Sequence, residues 1–109
     1  MPFDSKPELD AVSASLLRAA TRIRQPGAWC QRALAQDKTG WIVDPESEHA
    51  VPWCAAGALR VEAQSAGVGI AVFDRLHNIV GRFDIMELND LPGQTAERMA
   101  ALLEAAARS

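Results

Sequence analysis

Two cysteines in 109 residues are too few to staple a small secreted scaffold, so the fold must rest on a hydrophobic core. In a reducing compartment both are expected to remain free thiols. No stretch approaches the roughly 20 uninterrupted apolar residues that cross a bilayer, which excludes a membrane-spanning helix. The opening MPFDSKPELD has acidic and proline residues where an export signal needs a basic start and an apolar run, so a cytoplasmic location is expected. A net charge of -3 supplies no general attraction to polyanions, and nucleic acid is not an expected partner. Cys30, His49, Cys54 and His77 show no C-x-x-C or H-x-x-x-H spacing, so no metal site is expected. Neither Gly67-Val68-Gly69 nor Pro92-Gly93 belongs to a complete strand-loop-helix phosphate fingerprint, and no cofactor is expected.

What is present is the composition of one globular domain: 49% hydrophobic and 23% charged residues, enough for a single core and too few for two. The unit is residues 1–109, with a core over about 6–107. Ser5-Lys6-Pro7-Glu8 has the form of a capping box with proline in the first turn. Leu9, Val12, Leu16, Ala20 and Ile23 follow at steps of three and four, with Leu17 beside them, and predict a helix over about 6–24. Pro26-Gly27 interrupts it. A shorter helical stretch over Ala28 to Gln36 is expected before the turn at Asp37-Lys38-Thr39-Gly40, and Trp41-Ile42-Val43 is too short to anchor a sheet. Asp44 to His49 reads as a loop or one Asp-capped turn.

The next helix is expected from Pro52 to Ala66, ending at Gly67. Ile70, Phe73, Leu76, His77 and Val80 fit helical spacing, Phe83 to Leu88 a short helical segment, and Thr95 caps a last helix carrying Met99, Leu102, Leu103 and Ala106. The fold class is therefore all-α, a compact single domain of five or six short helices.

Two segments echo each other, Ala28-Trp29-Cys30 leading to Leu34 and Pro52-Trp53-Cys54 leading to Leu59. Leu34 lies five residues after Trp29 and Leu59 six after Trp53. That slip is about 100° around a helix, so the echo is not read as a structural repeat.

Three functional readings follow. Cys54 in the first turn of a helix would gain thiolate character from the unpaired N–H groups there, with His49 or His77 as base and Asn89 or Asp90 orienting the imidazole. Against this stands spacing: Cys54, Ala58 and Val61 share a helical stripe, which suits a small buried side chain. Arg18, Arg22, Arg24 and Arg32 form a basic cluster that would contact phosphate in a nucleic-acid regulator, although Glu8 and Asp10 lie near it. Binding to an as yet unidentified protein partner is the leading reading, because the three tryptophans and the alanine-rich faces suit an interface. Trp53, Gly57, Asn89 and Asp90 are its candidate residues. Gly57 inside a helix costs on the order of 1 kcal/mol relative to alanine, which requires close packing or room for a ligand in return.

With Trp53-Cys54-x-x-Gly57-Ala58-Leu59 and Asn89-Asp90-x-Pro92-Gly93-x-Thr95 in view, the chain resembles a family of small bacterial and phage-associated domains over about residues 9–107. The resemblance implies a helical fold and a unit formed by Trp53, Cys54, Gly57, Asn89 and Asp90. It brings no reaction, and it hints at a phage or mobile-element setting.

Overall fold

A computed structural model describes residues 6–81 and 84–109, with side chains from residue 11 onward. Ser5, and with it the expected capping box, lies outside the described residues, as do the side chain of Leu9 and Phe83. Five helices are present among the described residues: α1 (Lys6–Arg24), α2 (Ala55–Ala66), α3 (Gly69–Val80), α4 (Ile85–Asn89) and α5 (Ala96–Arg108). No strand is formed there, and the fold is all-α as the periodicity predicts.

Helix α1 is the centre of the packing. Its stripe Leu16, Ala20 and Ile23, with Ala19, is fully buried, and α5 lays Met99, Ala100, Leu103 and Ala106 against it while α2 covers the adjoining side. So many alanines at the contacts bring helix axes close, because a methyl group sets the smallest spacing that still excludes water. Ser13 Oγ ties α1 to the far end of α5 by donating to the Ala107 carbonyl at 2.8 Å.

Each boundary has a local cause. Thr95 Oγ1 accepts from Arg98 N–H at 3.1 Å and starts α5. Asp84 and Glu87 form a reciprocal capping box on α4, with Asp84 Oδ1 accepting from Met86 N–H at 2.7 Å. Helix α2 ends at Gly67 in the left-handed conformation, φ +75°, which lets the N–H groups of Gly67 and Val68 close the last turn on Gln64 and Ala63. The reversal after Gly67 also decides the phase of α3. Val72 and Leu76 face the core, while Ile70 is 81% exposed and His77 is on the outside, so only part of the expected stripe is buried.

Two sequence expectations fail in the connection between α1 and α2. Ala28 to Gln36 is not helical, and α2 opens at Ala55 with Cys54 as its N-cap, not at Pro52. The reason is lateral hydrogen bonding. Trp53 N–H donates to the Ala28 carbonyl at 2.9 Å and Cys30 N–H to the Trp53 carbonyl at 3.0 Å, while Gln36 N–H donates to the Pro52 carbonyl at 3.0 Å. Cys54 N–H reaches the Leu34 carbonyl at 3.1 Å. Backbone groups engaged sideways in this way are not available for bonds four residues along the chain. The two tryptophan-cysteine segments thus pair with each other, Trp29 beside Trp53 in a parallel bridge. Their similarity is not a duplicated helix.

Gly57 is where α2 meets this connection. A Cβ on it would stand 2.0 Å from the Leu34 carbonyl oxygen and 2.8 Å from the carbonyl carbon, both backbone atoms. Helix propensity alone would make Gly57→Ala stabilising by about 1 kcal/mol. The clash is with backbone that also holds Cys54, so overpacking wins and the variant is expected to be less stable by ~2–3 kcal/mol. Urea denaturation with an unchanged m-value checks it, and an increase in stability would contradict the close approach.

Candidate functional site

The side chain of Asn89, the last residue of α4, is completely buried. Its Oδ1 accepts from Trp29 Nε1 at 2.7 Å and from Ala55 N–H, the first residue of α2, at 3.0 Å. Its Nδ2 donates to the Cys30 carbonyl and to Asp90 Oδ1, each at 3.0 Å. That is the full capacity of a primary amide, so its burial leaves nothing unpaired. Asp90 Oδ1 also accepts from Arg32 N–H at 2.9 Å, at a residue with φ +69°, and Gln31 Nε2 donates to the carbonyls of Asn89 and Leu91. The structure therefore brings Asn89 and Asp90 to Trp29, Cys30, Arg32 and the start of α2. Gln31 was not singled out from the sequence, and Arg32 only as a member of the basic cluster, since a helical reading of 28–36 hides the contacts that both make here.

Cys54 is buried, and its Sγ accepts from Gly57 N–H at 3.3 Å, acting as the N-cap of α2. Burial pushes its thiol up, and the backbone N–H groups of Gly57 and Ala56 only partly offset this. Cys30 is pushed up to about 12 by burial, by the neighbouring Cys54 and by Asp90. Both sulfurs are held as protonated thiols at neutral pH, whereas nucleophilic attack requires a thiolate. His49 is on the surface with Nε2 3.5 Å from Glu48, and His77 is exposed on α3. Among the described residues neither histidine bonds to Cys54, whose sulfur is engaged by Gly57. The space beside Gly57 is filled by the Leu34 carbonyl.

Trp53 is 9% exposed; its Nε1 donates to the Pro45 carbonyl at 3.1 Å, and the Arg22 guanidinium sits over the ring at 4.5 Å. An open groove of about 350 Å³ runs past Arg22, Pro45, Trp53 and Val61. Three of the four arginines of the basic cluster are engaged by carboxylates. Arg18 and Arg22 both donate to Glu62, at 2.9 and 2.6 Å. Burial raises the Glu62 carboxyl, but the two arginines together outweigh it and hold it below the usual range. Arg24 bridges Glu97 and Glu104. Arg32 stands apart on the connection. Among the described residues no three His, Cys, Asp or Glu side chains are grouped as metal ligands, and no helix is long and apolar enough to cross a membrane.

Two large apolar side chains stand open to solvent on another loop. Trp41 is 75% exposed and Ile42 72%, with Val51 nearby at 48%. Their loop is held by Asp37, whose Oδ1 accepts from Thr39 N–H at 2.8 Å, Thr39 Oγ1–H at 2.6 Å and Trp41 N–H at 3.1 Å. The Thr39 hydroxyl, opposed slightly by burial and joined by the backbone N–H groups, keeps the Asp37 carboxyl below its ordinary range. Asp37 N–H donates to the Trp41 carbonyl at 2.8 Å, which closes the loop. The sequence signal for this feature is Asp37 two residues before Thr39 and four before Trp41, the pattern by which an aspartate caps its own turn.

The chain belongs to a family of unknown function, DUF6197, whose model matches residues 7–109. No curated protein and no solved structure matches it.

Asn89→Asp is expected to be less stable than the parent by ~3–5 kcal/mol, because a buried carboxylate would then face the Cys30 carbonyl and Asp90. The deficit should deepen as pH rises through the ordinary aspartate value of about 3.9. A thermal melt series between pH 3 and 7 tests this, and a variant as stable as its parent at pH 7 would contradict the assignment. For the thiols, the unfolded chain ionises near pH 8.5 while the folded chain keeps both protons further. Their contribution to stability is complete below about pH 8.5 and declines above it, for Cys30 toward about pH 12. Iodoacetamide at pH 8 is expected to leave Cys54 unmodified until the protein is unfolded; peptide mass spectrometry reads the outcome.

Proposed function

We propose that this member of the family acts by binding a protein partner through the loop that carries Trp41 and Ile42. The observation that supports it is a tryptophan 75% exposed on a loop whose shape is held by three hydrogen bonds to one carboxylate oxygen. Tryptophan is among the side chains that contribute most at protein interfaces, and a loop held in shape before contact loses little entropy on binding. Trp29 and Trp53, by contrast, are engaged inside the molecule through Asn89 and Pro45. The pairing of Arg18, Arg22 and Arg24 with carboxylates and the protonated state of the Cys54 thiol also favour binding over phosphate contact or nucleophilic catalysis.

A photo-crosslinking residue at Lys38, on the same loop, tests this in cells. Discrete adducts are expected in the parent, and Trp41→Ala is expected to remove them by weakening binding by ~2 kcal/mol, about 30-fold. The fold should be unaffected, since an exposed side chain contributes within about 0.5 kcal/mol to stability. Adducts that persist undiminished in Trp41→Ala would overturn the reading.

A further inference from the structure

The chain just before and after this loop runs antiparallel to itself. Asp37 N–H donates to the Trp41 carbonyl at 2.8 Å and Val43 N–H to the Ala35 carbonyl at 3.1 Å, with Gln36 opposite Ile42 in an isolated bridge. In this pattern the two opposed residues turn their own N–H and C=O groups away from each other. Gln36 uses its pair on the inner side, donating to Pro52 and accepting from Val51 N–H at 2.9 Å. The groups of Ile42 face the opposite way, outward, and among the described residues they bond to nothing. This is an open sheet edge one residue deep, and natural proteins usually blunt such edges with lysine, proline or a covering segment. Here the residues on it are the exposed Trp41 and Ile42.

Charge decides between possible occupants. Asp37, Asp44, Glu46 and Glu48 lie along residues 37–49 against Lys38 alone as a permanent cation there. Asp44 Oδ1 accepts from Glu46 N–H at 2.9 Å, and Arg60 lies 3.4 Å from Glu46. A second copy docking edge to edge would bring these carboxylates against their equivalents, and like charges across an interface oppose pairing. A basic segment would meet them favourably.

We infer that the outer edge at Ile42 takes an extended peptide segment of another protein, apolar at alternate positions and carrying lysine or arginine between them, which adds to Trp41-Ile42-Val43 as a further strand. Main-chain bonds to the Ile42 N–H and C=O supply register. Trp41 and Ile42, as consecutive residues of an extended segment, face opposite sides of it, so the apolar side chains of the added segment lie on the Trp41 side and the basic ones between them on the other. An open dish of about 300 Å³ lined by Asp37, Lys38, Thr39, His49 and Val51 borders the same loop and suits one apolar anchor. This rests on the reading of the Trp41 loop as a contact surface.

The probe is a library of random peptides displayed on phage, selected against the full chain. Chemical ligation at Cys54 gives a variant methylated on the Ile42 nitrogen, which removes the outward donor and no described internal bond. Circular dichroism and a thermal melt verify its fold, and an ester at the same position serves as a second variant. The expected result is enrichment of peptides with alternating apolar and basic residues, bound about tenfold less tightly by the methylated protein and also weakened by Trp41→Ala. Peptides lost on Trp41→Ala but bound equally by both backbone variants would overturn strand addition and leave the contact surface standing. Peptides indifferent to Trp41→Ala would overturn both. An acidic consensus, no enrichment, or self-association of the protein abolished by the methyl group would each overturn the basic-peptide assignment.

Discussion

The amide of Asn89 holds together parts of the chain that no helix connects. One oxygen accepts from the Trp29 indole and from the first N–H of α2, and one nitrogen donates to the Cys30 carbonyl and to Asp90. Removed from water with all four bonds made, such a group costs little; with one bond missing, the desolvation of that atom becomes a net loss of about 1–3 kcal/mol. The position of α4, the path of residues 28–36 and the start of α2 are consequently one structural unit, and each depends on the other two being in place.

Around that unit the packing is simple. Alanines let α1, α2 and α5 approach closely, and Gly57 lets the Leu34 carbonyl rest directly on α2. The cysteines belong to this arrangement: Cys54 caps α2 in the manner more often assigned to serine or aspartate, and burial keeps its proton on. Across the outside of α1, each described arginine side chain of the last turns faces a carboxylate from α2 or α5, Arg18 and Arg22 at Glu62 and Arg24 at Glu97 and Glu104. Exposed pairs of this kind contribute at most about 1 kcal/mol each, and their larger effect is to cancel the local positive field.

The loop between residues 37 and 43 is built differently. Its shape is held internally by Asp37, yet its tryptophan, its isoleucine and one pair of backbone groups face solvent. A loop that is ordered but not covered differs from a core element, whose apolar groups are buried, and from a solvated turn, whose exposed groups are polar.

Local rules account for the helices. The three- and four-residue steps of Leu16, Ala20 and Ile23, the cap at Thr95 and the stop at Gly67 act within a few residues of chain, so the all-α class and most helix bounds were legible from the sequence. The pairing of Asn89 with Asp90 and of Trp53 with Cys54 was visible as motif, but not the network that joins them. Residues 28–36 carry good helix formers and are not helical, because their backbone partners, Trp53, Pro52 and Asp90, lie between 16 and 58 residues away. Likewise, Trp29, Trp41 and Trp53 are equivalent as letters, and only the fold buries Trp53 against Pro45 and Arg22, half-buries Trp29 with its indole N–H on Asn89, and leaves Trp41 outside. Propensity and periodicity decide a segment's structure when its hydrogen bonds are local; where the bonds run to distant residues, tertiary contact decides it.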